Sequence, residues 1–452
     1  MNSKEELLSG ALRNASFPKA FAVMSVMALA LTVCLTQSIE AQSYRVLYTF
    51  TGGADGSAPE AGLTWDSAGN LYGTARSGGQ TGPNCGNDYG CGTVFKLTPA
   101  GSGWTFSTIY PFAGGLDGDT PVGRVIFGPD GNLYGTTEYG GFAAPGNVCS
   151  WGNLKGCGTV FRLSPPADRT SHDNDSWNKV VLYRFAFEMS ALKAQDGANP
   201  DGDLIFDPEG NIYGTTTAGG NCGGIGCGTV YELTPSLGGW RETVLHAFGT
   251  GGYGIIPNGG VVRDNTGNLY GAAGAGGQYS DGTVFQLTPN GNGWNINVLY
   301  AFLGQYDGES PQAGLTMDAS GNLYGTTEWG QGGSAGGTVF ELSQSDGRWT
   351  YHLLYTFTDR GGPTASLALD AAGNLYGTTR VGGIYGAGNV FKLTRSSGWT
   401  YTSLYDFTGG SDGAVPFSKL IFDLYGNIFG TAASGGSGCY GGGCGVVFEI
   451  TP

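Results

Sequence analysis

The hexapeptide Gly-Asn-Leu/Ile-Tyr/Phe-Gly-Thr/Ala recurs seven times along the chain, starting at Gly69, Gly131, Gly210, Gly267, Gly321, Gly373 and Gly426. Successive starts lie 62, 79, 57, 54, 52 and 53 residues apart. A second motif, Gly-Thr-Val-Phe/Tyr-x-Leu, follows each copy at Gly92, Gly158, Gly228, Gly282 and Gly337, with variants at Gly388 and Gly445. Self-similarity at such a period, with strand-like segments in every unit, restricts the chain to a propeller or a solenoid. In both, a unit buries its apolar face only against its neighbours.

Each unit reads as four strands, a to d. In the fifth they are Ala313–Asp318, Asn322–Thr326, Gly337–Leu342 and Trp349–Phe357. Strand d alternates with a period of two, placing Trp349, Tyr351, Leu353, Tyr355 and Phe357 on one face. Alternating aromatic and β-branched residues are a strand signal, and such aromatic rows suit blade-to-blade packing. The a-to-b link is Asp-x-x-Gly-Asn at Asp66, Asp207, Asp264, Asp318, Asp370 and Asp423, with Gly128 replacing the Asp in the second unit. An Asp that bonds its own backbone, followed by a Gly free to adopt positive φ, makes a tight hairpin. One carboxylate per isolated turn does not make a calcium site, which needs six to eight converging oxygens; no metal and no cofactor is expected.

The ends decide between ring and solenoid. Gln42, Tyr44, Val46, Tyr48 and Phe50 fill the slots of a d strand, whereas Gly445–Ile450 is a c strand with no d strand after it. The counts match only if the first strand completes the last blade, which also removes an open sheet edge. The expected fold is all-β, a seven-bladed β-propeller over residues 42–452. The long Gly-rich b-to-c loops and the d-to-a loops (Asp55-Gly-x-x-Pro59, Asp117-Gly-x-x-Pro121, Asp307-Gly-x-x-Pro311) then share one face.

Glycine is abundant, at 86 of 452 residues, but sits at fixed places between alternating segments and so reads as turns. A net charge of −15 with 21 Lys+Arg makes nucleic acid and anionic membrane surfaces poor partners. Lys4, Arg13 and Lys19 precede an apolar run of 16 residues, Ala20–Leu35, too short for a comfortable span. Residues 1–41 are therefore expected to be a signal peptide cleaved after Ala41, an uncleaved anchor being the alternative. Eight cysteines form four close pairs, Cys85–Cys91, Cys149–Cys157, Cys222–Cys227 and Cys439–Cys444, each ending just before the Gly of the second motif. Units four, five and six lack both members. Gain and loss in pairs indicates local disulfides and an oxidising compartment.

The sequence Asp-x-x-Gly-Asn-Leu-Tyr-Gly-Thr-Thr, a Gly-Gly loop, then Gly-Thr-Val-Phe-Lys-Leu-Thr-Pro resembles the GloVer tandem repeat of bacterial exported proteins. The likeness spans about residues 44 to 452. It implies a repeat-bearing secreted or surface protein and no established activity, so no functional residues carry over. No anchoring segment follows Pro452, so cell-surface attachment is not expected of this member.

Catalysis needs converging acids, bases or nucleophiles, and the chain gives little sign of them. Of three histidines, His246 fills an aromatic slot of strand d, His352 lies on the opposite face of its strand, and His172 falls in a polar insertion, Pro165–Asn178. The d-to-a insertion Ala186–Pro200 is expected to roof part of the channel mouth with Phe187, Met189 and Leu192. Aromatic residues outside the repeat consensus collect in the b-to-c loops: Tyr89, Tyr139, Phe142, Trp151, Tyr279, Trp329, Tyr385 and Tyr440. Among Gly-rich polar neighbours such rings suit flat sugar faces or peptides. Tyr89, Trp151, Trp329, Tyr385 and Tyr440 are the expected ligand contacts, Trp151 and Trp329 foremost. The function expected is an extracellular binding module, monomeric, for polysaccharide or an envelope protein. An extracellular carbohydrate-active enzyme with acids from several blades, and a structural envelope protein, are the alternatives. The exported protein is expected to begin at Gln42, which N-terminal sequencing of the secreted form checks.

Overall fold

The computed structural model describes residues 42–85, 89–141, 149–151, 154–166, 177–186, 196–222, 226–250, 252–291, 293–330, 335–358, 361–395, 398–439 and 442–452. The expected signal peptide, His172, Phe142, Tyr440, and Phe187, Met189 and Leu192 of the d-to-a insertion lie outside these residues. No helix among the described residues is long and apolar enough to cross a membrane.

Seven four-stranded antiparallel sheets form the blades of a propeller. In blade 1 the order is Thr64–Trp65, Leu71–Ala75, Thr93–Ala100, Gly103–Pro111. In blade 7 the outer strand is the first of the chain: Ser43–Thr49 lies beside Val446–Thr451, followed by Ile428–Ala432 and Ile421–Phe422. The ring closes as the strand count requires.

Two details depart from the sequence pattern. Strand a of blade 5 is reduced to Thr316–Met317, because residues 312–314 run along the central channel. There a Cβ on Gly259 would come 1.8 Å from the backbone nitrogen of Gly314 in the next blade. Strand d does not alternate strictly. Val339 pairs with Tyr355 but Phe340 with Leu353, so Leu354 is an extra, bulged residue. Leu354 packs into the core while Leu353 is 45 % exposed. The same register shift follows the Val of the second motif in the first six blades.

The two motifs recur together because they pack on each other. The ring of Phe95 lies where a Cβ on Gly73 would be, at 2.5 Å, and only glycine leaves that space. Gly92, at φ +89°, similarly accommodates the ring of Pro121 from the following blade. Between blades, each Trp at the start of strand d meets a strand b ring of the blade before. Trp177 on Tyr72, Trp240 on Tyr134, Trp294 on Tyr213, Trp349 on Tyr270, Trp399 on Tyr324 and Trp104 on Phe429 lie edge-on at 5.8–6.4 Å. Farther along strand d, rings stack face to face: Tyr405 on Tyr44 at 3.8 Å, Tyr48 on Phe106 at 3.9 Å, Tyr300 on Tyr351 at 4.3 Å and Tyr355 on Tyr401 at 4.6 Å. Tyr44 and Tyr48 thus bind the closing strand to blades 6 and 1.

The a-to-b turns behave as their residues dictate. Asp66 Oδ1 accepts from the backbone N–H groups of Ala68 and Asn70, and Oδ2 accepts from Asn70 Nδ2 and the Tyr72 hydroxyl. Burial alone would raise its pKa, but these donors outweigh it and hold the carboxyl below its ordinary value. In blade 2, where Gly128 takes the Asp slot, Asp130 receives the Asn132 and Tyr134 donors instead. The turn carboxylates are committed to their own hairpins.

All four cysteine pairs are disulfides, with Cα–Cα separations of 5.0–5.6 Å. They fall in blades 7, 1, 2 and 3, contiguous around the ring, and indicate an oxidising compartment. Tyr44→Ala removes the stack on Tyr405 and the hydroxyl bond to the Asp412 carbonyl. It is expected to cost about 3 kcal/mol in urea unfolding. Tyr425→Ala, at a turn residue 91 % exposed, should stay within about 0.5 kcal/mol.

Candidate functional site

The d-to-a loops build the site. In five of them the Asp of Asp-Gly-x-x-Pro accepts from the backbone N–H three positions after the strand d Tyr and from that Tyr hydroxyl: Thr51 and Tyr48 on Asp55, Ala113 and Tyr110 on Asp117, Ala186 and Tyr183 on Asp196, Leu303 and Tyr300 on Asp307, Thr408 and Tyr405 on Asp412. These acids are used by the scaffold. In blade 4's loop the Asp is Tyr253 and the partnering Tyr is His246, whose ring packs edge-on against Tyr253 and Phe248. Burial lowers the His246 pKa and its Nε2 has no hydrogen-bond partner among the described residues, so it is a packed substitute.

The residue before the proline is left-handed. Ala58, Thr120, Asn199, Ile256, Ser310 and Val415 have φ between 52° and 62°. Each donates its N–H across the blade boundary to the carbonyl of Cys444, Cys91, Cys157, Cys227, Asp281 or Ala387, at 2.8–3.1 Å. These acceptors occupy the second-cysteine position of the preceding blade. The carbonyl of each left-handed residue in turn accepts from the residue that ends its own blade's strand b: Arg76, Glu138, Thr217, Gly274, Glu328 or Ala433, at 2.9–3.1 Å. The residue after the proline then turns into the channel.

Those post-proline residues are Glu60, Val122, Asp201, Asn258, Gln312, Thr364 and Phe417, one per blade, and all line a central cavity of about 330 Å³. Next along the chain comes a ring of small residues, Ala61, Gly123, Gly202, Gly259, Ala313, Ala365 and Ser418, as close approach at the axis demands. Glu328, Arg380, Asp203, Ser366 and Lys419 complete the polar lining. Arg76 pairs with Glu60 of its own blade at 3.3 Å, and further ion pairs run between blades: Arg76 to Glu138 at 3.9 Å, Arg380 to Glu328 at 3.6 Å, and Arg124 Nε to Asp203 at 3.1 Å. Gln312 joins two of the lining groups, donating to Glu328 at 2.6 Å and accepting from Asn258 at 2.8 Å. The Arg380 guanidinium lies over the Phe417 ring at 5.5 Å.

Three acids of blades 1 to 3 lie close enough to interact, Glu60 and Asp201 on the cavity and Glu138 beside them. Burial, then the charges of Glu138 and Glu60, push the Asp201 carboxyl up to about 8, against a smaller opposing pull from Arg76. Asp201 is enclosed by protein while keeping some surface on the channel, and it is protonated at neutral pH. Burial also raises Glu138 and Glu328, opposed by Arg76 and Arg380 respectively.

The expected ligand contacts divide. Trp329 adjoins the mouth, in a cleft of about 390 Å³ with Gly274, Ser280, Asp281, Glu309 and Ser310, and hydrogen-bonds Glu328. Tyr89 and Tyr385 are 75 % and 62 % exposed on the loops of blades 1 and 6 and do not line the cavity. Trp151 falls in a short ladder, Ser150–Trp151 with Leu154–Lys155, inside the Cys149–Cys157 loop. The channel acids and arginines escaped the sequence reading. The signal that finds them is positional: the residue after each d-to-a proline, and the residue after Gly-Thr-Thr.

This architecture defines a seven-bladed β-propeller with a polar channel mouth on its disulfide-bearing loop face. The chain belongs to the Gloeobacter/Verrucomicrobia repeat family, whose profile matches residues 37–226, 147–336 and 223–448. No curated protein matches the chain in sequence. Among solved structures, a copper-bound fungal alcohol oxidase of the AA5 family superposes with a TM-score of 0.55 at 13 % identity, over 91 % of this chain and 76 % of that one. A protein of unknown function from Dyadobacter fermentans gives 0.44 at 12 %, over 91 % and 99 %. A gluconolactonase from Xanthomonas campestris gives 0.38 at 13 %, over 76 % and 88 %. At these identities the likeness concerns the fold alone.

Asp201 makes stability depend on pH with a definite sign. Its ordinary value is 3.8 and its folded value about 8, so between those limits the folded protein holds a proton the unfolded chain has released. Stability therefore falls as pH rises across that window and levels off above it. Glu242, raised to about 8 by burial and by Asp196 at the blade 2/3 boundary, acts in the same sense. Asp201→Asn and Glu242→Gln are each expected to flatten the dependence in urea unfolding at pH 5 and pH 8.

Proposed function

We propose that the protein is an exported binding propeller that holds carbohydrate at its channel mouth. One observation carries this reading: all seven blades contribute a side chain to one cavity of about 330 Å³, with carboxylate, amide and guanidinium groups dominating its wall. Planar groups that both donate and accept suit vicinal hydroxyls, and the volume suits a small ligand. Trp329 at the edge offers an apolar ring for a sugar face. Tyr89, Tyr385, Trp151 and Tyr440 on neighbouring loops are assigned secondary contacts along a longer chain. Export through cleavage of residues 1–41 and action as a monomer on extracellular polysaccharide complete the reading.

A second reading is favoured by one feature. Asp201, protonated at neutral pH, stands near the charges of Glu138 and Glu60, which is the pairing of acid and base that glycoside cleavage uses. Release of reducing ends from a polysaccharide retained by the protein would select it.

An immobilised-glycan screen of the secreted protein tests the binding reading. Trp329→Ala and Gln312→Ala are each expected to weaken a retained glycan at least about tenfold, the scale of a central contact. Tyr89→Ala and Tyr385→Ala should weaken it by less. Failure of the wild type to retain any glycan would end the proposal.

A further inference from the structure

One cation at the channel makes no ion pair among the described residues. Arg76 faces Glu60 and Glu138, Arg380 faces Glu328, and Arg124 grips Asp203 through both its backbone N–H and Nε, each at 3.1 Å. Asp201, buried beside other carboxyls, carries no charge at neutral pH. Lys419 lines the same cavity, and its ammonium is engaged in no hydrogen bond or ion pair among the described residues. It feels only the opposing fields of Arg124 and Asp203, and burial lowers its pKa.

A desolvated ammonium without a partner is costly to hold. The third residue after the proline is Gly62, Gly260 or Gly314 in three blades, Ser366 in blade 6, and the mutually paired Arg124 and Asp203 in blades 2 and 3, so nothing in the repeat demands a lysine there. Its surroundings suit a sugar: Asn258 Oδ1 and Thr364 Oγ1, which line the same cavity, are buried with no hydrogen-bond partner among the described residues.

We infer that the channel site takes an acidic sugar, a uronate residue, whose carboxylate is received by Lys419 while its hydroxyls meet Asn258, Thr364 and Gln312. This rests on the mouth being a carbohydrate site, and it names which carbohydrate. The protein's net charge of −15 repels a polyanion at long range, so the preference arises inside the channel, where screening by salt is weak. Of the acids that line the cavity, Asp201 is neutral and Glu60 and Glu328 each face an arginine, Arg76 being shared with Glu138, which does not line it.

Titration calorimetry of the secreted protein with a trimer of galacturonic acid and the matching trimer of galactose, at pH 6.5 and fixed ionic strength, tests it. The wild type is expected to favour the acidic trimer at least tenfold, and Lys419→Met to bring the ratio near one. Equal affinity in the wild type, or a preference that survives in Lys419→Met, overturns the uronate assignment while leaving carbohydrate binding standing. Binding of neither trimer overturns both. A second readout avoids the variant altogether. After reductive methylation with ¹³C-formaldehyde, the Lys419 resonance should shift on titration with the acidic trimer and not with the neutral one. An unmoved resonance in the presence of bound acidic trimer rejects the contact.

Discussion

The hydrogen bond from the left-handed residue before each d-to-a proline to a carbonyl of the preceding blade sets most of what is distinctive here. A non-glycine residue in that conformation costs about 1–2 kcal/mol, and six blades accept the cost, at Ala58, Thr120, Asn199, Ile256, Ser310 and Val415. Such strain persists only where the surroundings over-determine it. Here the N–H is fixed by the neighbouring blade and the C=O by the end of strand b. The following proline lies against the glycine of the neighbour's second motif, as Pro121 does on Gly92. The chain then enters the channel at a set height in every blade. In blade 6 the loop takes a different course, and Gly362 before Pro363 bonds the carbonyl of Glu328 instead.

The same junction explains where the disulfides sit. Their second cysteine supplies the accepting carbonyl in four of the six cases, and their sulfurs pack against the next loop, as Cys439 and Cys444 do on Gly52. Face-to-face aromatic stacks occur at the 4/5, 5/6, 6/7 and 7/1 boundaries. At 1/2 the slot holds Lys179, over the rings of Tyr110 and Phe112 and paired with Asp117. At 2/3 it holds Glu242, which accepts from Tyr183, and at 3/4 it holds Ile296. Among the described residues, the three boundaries without a stack all follow a disulfide-bearing blade, and the three interior stacked ones do not. An offset ring pair contributes about 0.5–1.5 kcal/mol, and a short disulfide loop about 2 kcal/mol by the chain-entropy account. Either suffices to fix one boundary. The 7/1 boundary has both, and it is the seam where the first strand meets the last blade.

Most of the fold was legible because each repeat residue has a local job visible as a pattern: Asp and Asn at a hairpin, Gly beneath a Phe ring, Trp opening strand d. The strand offset at the two ends gave the closure. The bulge at Leu354 was hidden, since a single extra residue within an apolar stretch leaves Leu353 and Leu354 indistinguishable by composition. The short inner strand was hidden too, because convergence at the axis is a property of seven blades together. The site was legible only in outline. The loop face was identified, and Trp329 adjoins the mouth. The channel acids and bases, however, draw their meaning from neighbours 60 or more residues away: Arg76 faces Glu138, and Arg124 faces Asp203.

The division of labour within the d-to-a loop is what allows a rigid repeat to host a site at all. Backbone bonds and a proline fix the path, so the side chain immediately after the proline is the one position whose identity the scaffold does not constrain. It is Glu, Val, Asp, Asn, Gln, Thr and Phe in turn, seven different residues at one structural slot, beside a second-motif position that is Gly in every blade. The residue ending strand b varies almost as freely, through Arg, Glu, Thr, Gly, Glu, Arg and Ala. Its backbone N–H is what the loop uses, so its side chain is not held by that bond. The post-proline ring lines the cavity in full, and from the strand b ends Glu328 and Arg380 join it. Because the backbone of neighbouring slots is held by shared hydrogen bonds, the path of the wall does not depend on which side chain follows the proline.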